Sequence, residues 1–94
     1  MPRFKVAHIR EQGVDLIIVP LESKFGNLTQ AEQNATIQDL QAHASAANLA
    51  GTVVPVWDAG SGRMGFIAPQ QWHPFFNGIN LIWVSANLTR ELYW

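Results

Sequence analysis

The chain has no cysteine among its 94 residues. Disulfides, thiolate metal sites and a cysteine nucleophile are thereby excluded. Charge is also scarce. Asp, Glu, Lys and Arg make up 14% of the sequence, against about 25% in typical soluble domains. Six Lys and Arg oppose seven Asp and Glu, for a formal net charge of -1. That total lacks the cationic excess that generic phosphate-backbone binding requires, so nucleic acid is not an expected partner. No apolar run approaches the roughly 20 residues of a membrane span. Met1 is followed by alternating residues rather than a basic and then an apolar segment. The expected location is therefore the cytoplasm, with no membrane attachment. The Asn-x-Thr tripeptides at Asn27, Asn34 and Asn87 then count as chance matches.

Apolar residues, by contrast, make up 48% of the chain. Its length suits one domain over residues 1–94, and folding at this size removes somewhat more than ~60% of the unfolded surface from water. Much apolar surface with few charges to cover it favours self-association, so a homodimer is expected.

Phe4, Val6 and His8 alternate with Lys5, Ala7 and Ile9, the pattern of a half-buried strand. Gly13 supplies a positive φ for a hairpin turn. The following "VDLIIVPL" is apolar on both faces, as an inner strand is, and Pro20 ends it. Thr29 and Glu32 form a capping-box pattern, and Ile37, Leu40, Ala44 and Ala47 make one stripe. A helix from Thr29 to Ala50 with Gly51 as its cap is predicted. Its other face, with Ala35, Ala42 and Ala46, reads as solvated. "TVVPVWD" and "RMGFIAP" form a second hairpin around "AGSG", with Pro55 demoting its first strand to an edge or bulge. "PQQWHPFFNG" reads as a short helical turn interrupted at Pro74, "INLIWVSA" as the last strand, and Asn87 as a possible cap for "NLTRELYW". Gly13, Ile18 and Pro20 recur 49 residues later as Gly62, Ile67 and Pro69, an echo that shared turn chemistry explains. The predicted fold is α+β. A mainly antiparallel sheet of about five strands packs on one long helix, with a second short helical turn, in the order ββαββ–short α–β.

Each chemical pattern has a plainer reading beside it. Gly60, Gly62 and Gly65 spell G-x-G-x-x-G, but this loop leads into a strand instead of the helix a dinucleotide fold needs. His8, His43 and His73 show no H-x-x-x-H spacing, and the serines lack a G-x-S-x-G elbow. Pro2 invites comparison with the proton-shuttling terminal amine of tautomerases. Those run directly from first strand to helix, whereas "VDLIIVPL" intervenes here. No catalytic residue, metal site or cofactor is therefore assigned. Arg3, Lys5, Arg10 and Arg63, with Trp57 or Phe66 as stacking platforms, would serve a single-stranded nucleic-acid binder.

The aromatic residues carry the main expectation. Trp72, Phe75 and Phe76 are placed to cap one end of the sheet, with Trp83 in the core beside Leu81 and Ile79. Trp57, Trp72, His73, Tyr93 and Trp94 are the expected partner contacts, since Trp and Tyr join apolar area to a polar handle. The leading expectation is a non-catalytic interaction module that dimerises or docks on a protein. The alternative is a small-molecule site or small enzyme with a cleft near His73, Arg63 and Asp58.

Overall fold

The computed structural model describes residues 3–60 and 62–93, apart from the side chains of Arg3 and Tyr93. Five strands, β1 (Arg3–Glu11), β2 (Val14–Pro20), β3 (Thr52–Gly60), β4 (Arg63–Phe66) and β5 (Arg90–Tyr93), form one sheet in the order β4-β3-β2-β1-β5. Three of its neighbouring pairs are antiparallel, and only β2 with β3 is parallel. The parallel pair follows from the connection. A crossover through α1 (Gln30–Ala46) brings the chain back to the end of the sheet where β2 began. The order ββαββ–short α–β is that expected from the sequence, and the domain is α+β.

β2 is central and its Leu16, Ile17, Ile18 and Val19 are all fully buried. Strand alternation sends Ile17 and Val19 to one face, where they meet Val6, Leu40, Ala44, Val53 and Leu92 under α1. Leu16 and Ile18 go to the other face with Ala7, Val54 and Val56. That side is covered by the segment after β4. It comprises a 3-10 turn (Gln70–Trp72), α2 (His73–Asn77) and α3 (Leu81–Ala86). The sheet is thus the middle of three layers, with a core on each face. Among the described residues no helix is long and apolar enough to cross a membrane.

The end of α1 differs from the expected one. The helix stops at Ala46, and Asn48 takes the left-handed position with φ 63°. The Leu49 amide donates to the Ala44 carbonyl at 2.9 Å and the Asn48 amide to Ser45 at 3.0 Å, a Schellman closure. Asparagine thus does the capping expected of Gly51. Gly51 is needed for another reason, since a Cβ there would lie 2.8 Å from the Asp15 carbonyl oxygen.

Pro55 was expected to make its strand an edge or a bulge, but β3 has neighbours on both sides and Pro55 sits in register opposite Val19 of β2. Its carbonyl accepts from the Ile67 amide at 3.2 Å, just past the end of β4. The register shift in β3 falls later, between Asp58 and Gly60. Gly13 and Gly62 adopt φ 79° and 75° in the two hairpin turns, the shared chemistry behind the echo between the halves.

The carboxy-terminal elements are exchanged relative to the sequence reading. "INLIWVSA" contains α3 instead of the last strand, and "RELY" is the strand instead of a capped segment. Asn80 caps α3, its side-chain oxygen accepting from the Trp83 amide at 2.9 Å. Helical spacing puts Leu81 and Val84 toward the core and leaves Ile82 outside, while Leu88, beyond the helix end, packs against the same core. The Ile79-Leu81-Trp83 alternation that suggested a strand competes with the Leu81–Val84 spacing, which suits a helix, and the helix forms. β5 forms because pairing Leu92 with Phe4 brings Leu92 into the α1-side core. Pro74 begins α2 in its first turn, where no amide donor is needed, and does not interrupt a helix.

Candidate functional site

Of the residues singled out from the sequence, Trp72 belongs to the interior. It is 6% exposed and packs with Phe76 and Val84 on the face away from α1. Phe76 is fully buried, and Phe75, half-buried, stands edge-on to Trp72, Phe76 and Trp83 at centroid distances of 6.2, 5.1 and 6.0 Å. Adjacent phenylalanines on a helix cannot share one direction. Here the second enters the core and the first joins the aromatic cluster above it.

His73 is exposed at the start of α2. Its ring lies edge-on to Phe66, centroids 5.3 Å apart, and its Nε2 donates to the Ala68 carbonyl at 3.0 Å. A carbonyl can only accept, so this contact requires the proton on Nε2. Asp58 ties the β3–β4 turn, its Oδ1 accepting from the Gly60 amide at 2.8 Å. Arg63 is exposed in β4 and shares alternation with Gly65. Asp58 instead pairs with Met64, so the strand sends Arg63 toward the opposite face. Two clefts that Asp58 lines include neither His73 nor Arg63. The proposed ligand trio is therefore not assembled around either of them.

Trp57 is half-buried on the α1 side of β3 at the mouth of a cleft of about 370 Å³ that Ser23, Asn27 and Asp58 help to line. Its indole lies across its cross-strand partner Gly65, where a Cβ would run into the ring, and its Nε1 edge meets Gly26. Phe25 packs against it with centroids 5.1 Å apart. The two glycines thus make room for the indole, a reason for Gly65 that the G-x-G-x-x-G pattern does not supply. The indole covers the glycine backbone near the sheet edge. Tyr93 ends β5 opposite Arg3, its side chain lies outside the described residues, and so does Trp94.

The basic residues are dispersed. Arg10 pairs with Asp15 beside the β1–β2 turn, while Arg63 lies three strands away on β4. Phe66 stacks on Phe76 at 5.3 Å and is half-buried. The histidines are equally separated. His8 Nε2 donates to the Ala50 carbonyl at 2.8 Å, and His43 lies 3.4 Å from Asp39 on α1. Among the described residues no three His, Asp or Glu side chains are grouped to hold a metal ion.

What the sequence reading missed is on α3. Ile82 is 80% exposed at its amino end, beside half-buried Ile79, Leu81 and Trp83. With Met64 and Asp58 it borders a cleft of about 190 Å³ under the β3–β4 hairpin. The signal was present as an apolar residue off the Leu81–Val84–Leu88 stripe, but reading the segment as a strand hid it. No family model, curated protein or solved structure matches the chain.

Proposed function

We propose that this chain is a small non-catalytic interaction module that works as a homodimer, with α3 as its contact surface. The exposed Ile82 side chain carries this reading. A large β-branched aliphatic group in water beside half-buried apolar neighbours is the kind of surface that association covers. The low charged fraction points the same way, because few charges are available to keep copies apart. In a two-fold interface the same patch faces itself, so Ile82 of each copy reaches the cleft beside the other's Leu81 and Met64. Asp58 and Asn80, which line the same cleft, would contribute polar rim contacts. A heterologous protein partner with an apolar anchor would use the same surface.

Light scattering coupled to size-exclusion chromatography tests this. The wild-type chain is expected to elute at twice its 10.5 kDa mass. Ile82→Glu should return it to the monomer with its circular dichroism unchanged. A wild type that stays monomeric at roughly several hundred micromolar would overturn the homodimer.

A further inference from the structure

A second surface lies on the opposite face of the sheet, so its test is independent of the α3 reading. Phe4 of β1, Leu21, and Phe25 and Leu28 of the turn before α1 form the walls of a cleft of about 230 Å³, with Thr36 of α1 at its side. Its walls are held in place. The Leu21 amide donates to Val56 at 2.7 Å, the Leu28 amide to Phe25 at 3.2 Å, and Gln33 Nε2 reaches the Phe25 carbonyl at 3.0 Å. Lys24 and Glu22 line the same cleft and pair with each other at 3.1 Å.

We propose that this cleft binds a free apolar α-amino acid, its side chain between the apolar walls and its carboxylate and ammonium on Lys24 and Glu22. The volume exceeds the roughly 150 Å³ of an apolar cavity that admits benzene, so leucyl, phenyl and indole groups are all in range. The choice of head group rests on charge. A simple carboxylic acid would meet Glu22 as well as Lys24, and a simple amine would meet Lys24 as well as Glu22. Only a ligand bearing both charges opposes both side chains. Opening the existing pair costs little, since its side chains are 81% and 76% exposed, and such surface pairs contribute only about 0–1 kcal/mol. The fixed walls mean that little ordering is needed when the side chain enters.

The test is a titration of the full chain with L-leucine, L-phenylalanine and L-tryptophan, followed by backbone amide NMR shifts. Glycine, tryptamine and indole-3-propionic acid are the controls. The apolar amino acids are expected to give saturable shifts at Phe25, Leu28 and Thr36. Removing either charge from tryptophan should weaken binding at least about tenfold, and glycine should produce no saturable shift. Glu22→Gln together with Lys24→Gln should weaken binding similarly while leaving the melting temperature unchanged, because both side chains are solvent-exposed. The proposal is overturned by absence of saturable shifts at these residues. It is equally overturned if tryptamine or indole-3-propionic acid matches tryptophan, or if the double variant binds tryptophan as tightly as wild type.

Discussion

The two faces of the sheet are covered by opposite means. On one side a single 17-residue helix, α1, fully buries only Leu40 and Ala44. On the other, two short helices and a 3-10 turn bury Trp72, Phe76 and Val84 and bring Phe66, Phe75 and Trp83 against them. The long helix therefore adds little large apolar surface of its own and relies on directional contacts. Its start is closed by the reciprocal Thr29–Glu32 bonds at 3.1 and 3.2 Å. Its middle is held by Gln41, whose amide donates to the Gly51 carbonyl at 3.0 Å and accepts from the Val53 amide at 2.9 Å. Regular secondary structure and core packing thus divide between different parts of the molecule.

The largest effect is expected on the aromatic side. Phe76→Ala should cost about 3–5 kcal/mol in urea unfolding, more than Leu40→Ala. If Leu40→Ala costs as much or more, the contrast between the faces is wrong. On the helical side, Gln41→Ala should cost about 1–3 kcal/mol, because it strips a partner from the Val53 amide and the Gly51 carbonyl together. A loss near zero would mean that water replaces both bonds and that α1 is held by apolar contact after all. Smaller still is the cap, for which Thr29→Ala should cost about 0.5–2 kcal/mol.

The same cap makes a pH prediction. Hydrogen bonds from the Thr29 backbone and side chain lower the Glu32 pKa from its ordinary 4.5. A depressed carboxylate stabilises the fold above its unfolded pKa, and that contribution is lost as pH falls through the lower folded value. Stability measured between pH 6 and pH 3 (roughly the span around an unperturbed glutamate) should therefore fall less steeply in Glu32→Gln, which removes the titrating group, than in wild type. Parallel curves would remove the cap from the account of how α1 is held.

Local chemistry was readable wherever one residue type satisfies a local need. Thr29 and Glu32 announce a helix start, Gly13 a turn, and an uninterrupted Leu16–Val19 run a strand covered on both faces. The failures came where two periods coincide. Ile79, Leu81 and Trp83 suit a strand, yet Leu81, Val84 and Leu88 suit a helix, and the sequence offers no local way to choose. The candidate surface was lost with that choice, since on a strand Ile82 would face the sheet's other side, where a second layer can cover it, whereas on α3 it stands in water. Trp72 reads both as a cap on the sheet and as a partner contact for a related reason. An indole beside an exposed histidine reads as interface or interior alike until the sheet face beneath it is known.

By itself, the sequence determined an α+β fold with an inner second strand, a capped long helix and no thiol chemistry, because these depend on composition and on contacts a few residues apart. The tertiary structure decided which face each aromatic serves. It turned Gly65 into the seat of Trp57 and made "RELY" a strand by giving Leu92 a place opposite Phe4. Those outcomes depend on partners far along the chain, and only the assembled sheet brings them within reach.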